Sequence, residues 1–576
     1  MLKKYRGYIV SLLIILTMAL IGISDTSLIV AHGQNSSPSV GTTITGSAEA
    51  VTSSLVYRHT INMQTVPPAK ITSFHTPTVK NRPLLTGVSA SAYAQLKAAA
   101  AHNSAAPVAT HILSNTDTIL PDTPPTITKF NGMADSPSIC PPIGCEPPDM
   151  AVAASTQWVF QGVNTSFAVY DTKGNLQSGW PKTSQDFFGI PNPGNCDPNG
   201  AYVTDPRAFY DYVDGRFWVA MLQLQGGFVD RCPPLSLYWV GVSQTSDPNG
   251  AWNMYAFDML LGTQYIADYT QFGFNSTSVY FSVNMYNKTG YVYKYAQVLA
   301  ANKALMEAGS PVTAKGFRKL KVGTTLVDTV QPVETLAKGQ DAPGAELLIS
   351  SFDTTSGGGE CSQGCSGLVV WSFTNADEKN QSLTQVSVST PEYILAPQAD
   401  EPGCSQCIET LDTRITGTPV YQSGFITFAL ETGVNNGTQV VPGIFWGEVQ
   451  PTLDQNGKIT GATLLQDSIL AFQGDQAASF GCTMINKGGS VLMVFDTMSN
   501  SLNPSIMYTV HKKSDAPGML ENPKFLIKGL QPTNNDRWGD FEATSYDGAG
   551  KNHVWFASEY AGENQDWASY IGEAQL

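Results

Sequence analysis

Charge is scarce in this chain. Asp, Glu, Lys and Arg make up 14% of its 576 residues, against roughly 25% in an average soluble protein. Acidic residues outnumber basic ones by 47 to 32, giving a formal net charge of −15. A net-acidic chain without a basic stripe is poorly suited to a phosphate backbone, so nucleic acid is excluded as the expected partner. Histidine is scarcer still. Of the 7 histidines, His32, His59, His75, His102 and His111 precede the periodic part of the chain, leaving His511 and His553, both placed like strand-edge residues. Ser-His-Asp hydrolysis therefore lacks a placed imidazole, and no Gly-x-Ser-x-Gly turn is present. A histidine-based zinc site lacks its ligands. No phosphate loop and no Cys-x-x-Cys-His occurs.

Long apolar runs are missing too, with one exception at the start. Lys3, Lys4 and Arg6 precede the run Ile9 to Ile23, and Ala31-His32-Gly33 follows with small residues. This is the layout of a secretory signal over residues 1–34. An uncleaved anchor is the alternative, for which the run is short. Any membrane contact is expected through this segment alone. The expected location is secreted or extracellular, with cell-surface tethering as a variant.

The 9 cysteines agree with an oxidising compartment. They fall in close pairs: Cys140 with Cys145, Cys196 with Cys232, Cys361 with Cys365, Cys404 with Cys407. Cys482 stands alone. Close pairs read as loop staples, although Cys482 offers an alternative partner to Cys404 or Cys407. Cys404-Ser-Gln-Cys407 has redox spacing, but it follows Glu401-Pro402-Gly403 in a loop and does not open a helix, so a structural role is preferred.

What the chain does have is punctuation. Gly 52 and Pro 35, with 10% aromatics and 42% hydrophobic residues, point to many short strands around a sizeable core. Residues 35–125 differ: they are rich in Ser, Thr, Ala and Pro and read as a mostly disordered linker or pro-segment, with one short Ala-rich helix over Ser91 to Ala101. From about residue 126 to 576, alternating strands and Gly turns dominate.

A repeat emerges there. Asp149, Asp205, Asp268, Gln331, Asp412, Asp475 and Asp540 begin similar stretches, at successive spacings of 56, 63, 63, 81, 63 and 65 residues. In the second stretch Ala208–Tyr212, Phe217–Leu222, Leu235–Val242 and Trp252–Phe257 read as four antiparallel strands. Units of this length, repeated around an axis, describe an all-β fold, a seven-bladed β-propeller, with six blades as the runner-up count. Trp158, Trp218 and Trp555 fall on second strands, and Trp239, Trp371, Trp446 and Trp567 on third strands. They are expected to fill the space between blades. The last unit runs out after three strands, and the segment Thr126–Phe130 is expected to supply the fourth, because an open edge invites aggregation.

Three stretches carry a resemblance: Asp205-Pro206-Arg207 with Tyr210-Asp211 and Gly215-Arg216-Phe217; Ser246-Asp247-Pro248-Asn249-Gly250-Ala251-Trp252; and Asp536-Arg537-Trp538-Gly539-Asp540-Phe541. Over residues 126–576 the chain resembles secreted bacterial β-propeller proteins of mostly unassigned function, and more distantly sialidase-type propellers. Ser246 to Trp252 is similar to the Asp-box turn of the latter, without its strict spacing and without a clear second copy.

Strand starts in such a fold open on one face around the channel. That mouth is expected to carry Asp205, Asp268 and Asp412, with Arg207, Arg414 and Arg537 as ligand-binding groups able to grip a carboxylate. The bland alternative is that each arginine pairs with a neighbouring aspartate and each aspartate with its own turn. Asp540, Glu542 and Tyr210 are the candidate catalytic groups, Tyr269 is a further neighbour, and glycoside hydrolysis by paired carboxylates or a tyrosine nucleophile is the alternative chemistry. Trp180 and Trp538 are candidates for stacking on sugar rings. No metal site or cofactor is expected, save a weak calcium possibility in the loop Asn195 to Gly200. The expected function is an exported binding module for a surface or environmental glycan, peptide or protein, acting as a monomer. A sialidase-like glycoside hydrolase and a structural cell-surface component are the alternatives. Whether the chain is an enzyme stays open.

Overall fold

The computed structural model describes residues 42–43, 47–69, 88–113, 120–136, 139, 146–196, 201–226, 232–288, 292–336, 344–352, 361–376, 380–533, 537–548 and 552–576. The signal-like start, Cys140 with Cys145, and most of the calcium loop (197–200) lie outside these residues.

The described chain is nearly all β. Successive antiparallel meanders follow one another from residue 151 onward. The first comprises Ala151–Ala154, Trp158–Val163, Ser166–Asp171 and Lys182–Thr183. The second comprises Tyr202–Asp211, Arg216–Gln225, Leu235–Ser243 and Ala251–Asp258. The third runs Ile266–Phe274, Ser278–Tyr286, Tyr293–Asn302 and Ala314–Arg318. The fourth runs Gln331–Pro332, Ala345–Ser351, Cys365–Thr374 and Ser382–Tyr393. The fifth has Val420–Gln422, Phe425–Asn435, Val440–Leu453 and Ile459–Phe472. The sixth has Ala477–Ile485, Val491–Ser499, Leu502–His511 and Lys524–Ile527. The seventh has Ala543–Tyr546, His553–Ala561 and Trp567–Gln575. Its fourth strand is Thr126–Ala134, with Phe130 opposite Ile571. Glu334–Thr335 joins the third and fifth meanders by short parallel pairings to Phe274 and Val420.

These strands are covered on both faces, which explains their near-continuous apolar runs. In Arg216–Gln225 every residue but the two ends is buried. Trp218, Trp239, Trp371, Trp446, Trp555 and Trp567 stand on the expected strands and are among the largest fully buried side chains. Each contributes about 3 kcal/mol of burial at most, through packing between sheets.

Side chains tie each first strand to its neighbour. Asn164 Oδ1 accepts the Asp205 N–H at 2.6 Å, and the Thr270 hydroxyl donates to the Asp205 carbonyl at 2.6 Å. Ser282 donates to the Val330 carbonyl at 2.5 Å, and the Gln331 amide to the Ile415 carbonyl. Thr416 donates to the Gly481 carbonyl at 3.0 Å, and Thr544 to that of Thr483 at 3.2 Å. The Ala154 N–H donates to Ser545 Oγ at 2.9 Å.

The largest departure from expectation is the stretch 35–125. Its described parts are not disordered. Thr42–Thr43 pairs with the last strand of the fourth meander, Glu49–Ser53 with that of the third, and Leu55–Asn62 with that of the second. The Ala69 N–H and the Val66 carbonyl bond to Pro181 and Lys182 of the first, at 2.8 and 2.7 Å. A helix, α1 (Ala90–Ala100), comes next, capped by the Ser89 hydroxyl. His111–Leu113 then pairs in parallel with the last strand of the fifth meander. Asn522 of the sixth exchanges backbone bonds with Pro121 and Thr123. The arm thus visits the outer edge of each meander in turn, and covered edges do not recruit foreign strands. Its low hydrophobicity misleads because an edge strand needs only one apolar side. In Leu55–Asn62 that side supplies Tyr57, stacked on Trp239 with ring centroids 5.6 Å apart.

The disulfides join Cys196 to Cys232, Cys361 to Cys365 and Cys404 to Cys407. Cys482 is free and buried, so the alternative pairing of Cys482 with Cys404 or Cys407 is corrected. Among the described residues no helix is long and apolar enough to cross a membrane.

Candidate functional site

The first strands share a backbone device that the sequence alignment missed. Asp205 (φ 58°), Tyr269 (φ 57°) and Phe480 (φ 57°) all sit in the left-handed region, each at a β-bulge where the register slips. Asp149 (φ 36°), Thr329 (φ 42°) and Leu411 (φ 54°) are left-handed near the starts of other meanders. Such conformations cost about 1–3 kcal/mol each for residues other than glycine. The bulge marks the true repeat, and it corrects the equivalences. Asp205 corresponds to Tyr269 and Phe480, whereas Asp268 is level with Thr204 and Ser479. Asp475 precedes its strand and accepts the Asn500 N–H at 2.8 Å, outside this constellation. Residue identity does not repeat at the kink, so alignment by aspartate slipped onto neighbouring turns.

Around these kinks a buried charged cluster forms. Asp149 Oδ2 accepts from Asn164 at 2.8 Å and its Oδ1 accepts the Asp540 N–H at 2.9 Å. The Tyr269 hydroxyl donates to the Asp540 carbonyl at 3.1 Å. Arg414 grips Asp412 bidentately, at 2.7 and 2.6 Å. Arg537 pairs with Asp540 at 2.6 Å. Burial opposes ionisation of Asp412, but the Arg414 guanidinium overrides it and holds the carboxyl below the usual range. Asp149 has no such partner: burial, then Asp540 and Asp205, push it well above that range.

Arg207 is different. Its Nε donates to the Thr270 carbonyl at 3.0 Å, and its guanidinium lies 3.3 Å from the Phe541 ring centroid. Its Nη2 is buried without a hydrogen-bond partner. Burial pulls this guanidinium below its ordinary value, against Tyr269, Cys482, Tyr238 and Asp205. Arg207 and Arg414 flank Tyr269 at 6.0 and 4.3 Å from its centroid. The three arginines therefore gather at one end of the first strands, two of them committed to aspartates.

The other candidates scatter. Tyr210 stands at the far end of its strand against Phe217, ring centroids 4.6 Å apart. Asp268 is buried beside Tyr269. Glu542 belongs to a second set with Asp496 and Glu559, in which one carboxylate oxygen of each lies within 4.8 Å of the others. Asp496 accepts from Trp538 Nε1 at 2.5 Å and from the Ser558 hydroxyl. Burial raises Asp496 to about 8, and burial with the neighbouring carboxyl groups lifts Glu542 and Glu559 well above their ordinary values. Asp547, His553 and Glu573 form another group with ligand-like spacing, in which His553 Nδ1 lies 2.7 Å from Glu573. Trp180 and Trp538 are 6% and 0% exposed, which rules out stacking on a sugar. The Ser246 to Trp252 turn is structural: Trp252 Nε1 donates to the Pro248 carbonyl at 2.9 Å, and Trp180 Nε1 to Asn249 at 2.8 Å.

Two members of the cluster come from the arm. Tyr93 of α1 donates its hydroxyl to Glu409 Oε1 at 2.9 Å. Lys97 donates to Thr410 Oγ1 at 2.7 Å and to the Leu411 carbonyl at 2.5 Å, with Glu409 Oε1 at 3.4 Å. Burial opposes ionisation of Glu409, but Lys97, Arg537, Tyr93 and Gln398 hold its carboxyl below the usual range. The available signal was the spacing: Tyr93 and Lys97 are four apart and share a helix face.

No protein-family model and no curated protein matches the chain. Solved structures do. A Trypanosoma rangeli sialidase in complex with the inhibitor DANA matches at 9% identity and a TM-score of 0.32, over 67% of this chain and 58% of that one. Native Bacillus subtilis arabinanase Arb43A matches at 12% identity and a TM-score of 0.27, over 63% and 93%. The Hadza microbial sialidase Hz136 matches at 8% identity and a TM-score of 0.33, over 73% and 74%. This chain thus spans little more than half the length of the Trypanosoma enzyme. At these identities no residue role carries over.

Proposed function

We propose that the chain is an exported seven-bladed β-propeller that binds, as a single copy, an acidic group of a surface or environmental glycan, peptide or protein at its charged mouth. The meanders, their lateral ties and the pairing of Thr126–Ala134 with Trp567–Gln575 support the ring and its closure. The intrachain disulfides are consistent with export. The observation that carries the binding reading is the unequal commitment of the arginines. Arg414 and Arg537 are neutralised by Asp412 and Asp540, whereas Arg207 keeps a buried Nη2 without a hydrogen-bond partner, which a carboxylate reaching it would satisfy. The hydrolase alternative needs a free carboxylate beside all three guanidinium groups, and Glu542 belongs to the carboxyl trio with Asp496 and Glu559 instead.

The test pairs a glycan and acidic-peptide array with a panel of fluorogenic glycosides, both on the full chain. Saturable binding of acidic probes, weakened tenfold or more in a folded Arg207→Met variant, is expected, with no glycoside turnover. Turnover that disappears in Glu542→Gln would replace this reading with the hydrolase one.

A further inference from the structure

α1 is too short to stand by itself. A helix of 11 residues is marginal in water even when rich in alanine. What fixes it is the face carrying Tyr93, Lys97 and Ala100, all buried. Lys97 is 1% exposed, and an ammonium taken that far from water is tolerated only when its donors are matched. They are matched: Thr410 Oγ1, the Leu411 carbonyl and Glu409 stand around it. The receiving side is built for this. Leu411 holds a left-handed conformation (φ 54°), which branched side chains rarely adopt. The Thr410 and Leu411 N–H groups both donate to Glu409 Oε1, at 3.0 and 2.9 Å, and so hold the carboxylate in place. The Thr410 hydroxyl donates to the Pro397 carbonyl at 2.7 Å, which leaves its lone pairs to Lys97. Tyr93 adds an aromatic wall, its centroid 5.8 Å from the ammonium.

We propose that Glu409, Thr410 and the Leu411 carbonyl form a recognition site for a lysyl ammonium carried four residues after a tyrosine on a helix, and that α1 is its resident ligand in cis. The external occupant that competes with it is a peptide of the same Tyr-x-x-x-Lys chemistry. The site stands on the contacts of α1 alone and is independent of the reading at Arg207.

The experiment uses the full chain and a fluorescent peptide of residues 88–104. Wild type, with its site filled, is expected to leave the peptide free at micromolar concentration. Lys97→Met keeps most of the side-chain volume and removes the charge. It is expected to speed hydrogen exchange of the α1 amides at least tenfold and to bind the peptide saturably. Adding Glu409→Gln to Lys97→Met should abolish that binding. Unchanged α1 exchange in Lys97→Met, or peptide binding equal in wild type and in the Glu409→Gln double variant, would overturn the proposal. A Lys97→Met chain that fails to fold is answered by Glu409→Gln alone. Faster exchange confined to α1 supports the site, and unaltered exchange refutes it. Loss of acidic-probe binding at Arg207 changes none of these readouts.

Discussion

Asp412 and Glu542 are equally buried, each 1% exposed, yet they are held in opposite states. Asp412 is kept ionised by a bidentate guanidinium. Glu542 faces two more carboxyl groups, and burial together with Glu559 and Asp496 pushes it well above the usual range. Depth therefore does not decide charge here; the nearest partner does. The difference also separates two roles on one end of the molecule. The Arg–Asp pairs and Arg207 form a buried, charged cluster. In the trio, Asp496 accepts from Trp538 and Ser558, which ties the sixth meander to the seventh, and Glu559 accepts the Gly539 N–H.

The comparison is broken most severely by removing one guanidinium. Arg414→Met leaves Asp412 buried without its cation, and breaking such a pair costs about 3–5 kcal/mol. Chemical denaturation reads this directly. Glu542→Gln, which replaces an acid already pushed toward its neutral form by an amide of the same shape, should cost under about 1 kcal/mol. Equal losses in the two variants would mean that the two sets do not differ in charge.

Titration sharpens the same contrast. Asp496, Glu431 and Glu334 are each raised to about 8 by burial. A raised carboxyl binds its proton more tightly in the folded state. Its contribution is complete below the unfolded value near 4 and is lost as pH climbs toward 8. Asp412 and Glu409 are lowered, so their contribution is present above the unfolded value and fades only as pH falls below it. Stability should therefore be greater at pH 5.5 than at pH 9, by on the order of 3 kcal/mol for each such group. Urea midpoints at the two pH values measure it. Glu542→Gln should shrink the gap, and a gap of unchanged size would show that the trio is not what titrates.

Much of this was legible in the sequence, and the failures have physical causes. Short apolar runs between Gly turns gave the strands, because strands covered on both faces are apolar almost throughout. Thr126–Phe130 could be expected on the last meander because a three-stranded unit leaves an edge open. α1 could be read from its alanines. The kink was not legible, since Asp205, Tyr269, Leu411 and Phe480 share a backbone conformation and no side-chain type. The pairing of Glu49–Ser53 with Ala314–Arg318 was hidden for a related reason: a polar edge strand gains its partner from more than 200 residues away, and local composition carries no trace of that contact. Arg207 was found by its position two residues beyond an aspartate. Lys97 was not, because a lone lysine in an Ala-rich stretch reads as solvated.

Phe541 offers a subtler probe of the charged side. Arg207 lies over its face at 3.3 Å, and a desolvated cation–π contact contributes about 2 kcal/mol. Phe541→Leu keeps the apolar volume but removes the ring, so a loss of about 2 kcal/mol in urea denaturation is expected, and Phe541→Tyr should retain most of the stability. Equal stability of the leucine and tyrosine variants would assign Phe541 to packing alone.

The smallest effect is expected at the edge of the cluster. Cys404 and Cys407 close a loop of sequence separation 3 just before Glu409. So short a loop has little chain entropy to remove, and Cys404→Ser with Cys407→Ser should cost about 2 kcal/mol or less. Cys482 lies apart, buried beside Thr544, and burial pushes its thiol up to about 11. It should resist alkylation in the folded chain whether or not the 404–407 bond is present. Fast alkylation of Cys482 in the double-serine variant, at unchanged global stability, would instead mean that this small staple shields the first strands of the fifth and sixth meanders. The bond would then belong with Asp412 and Arg414 as part of the charged cluster's support.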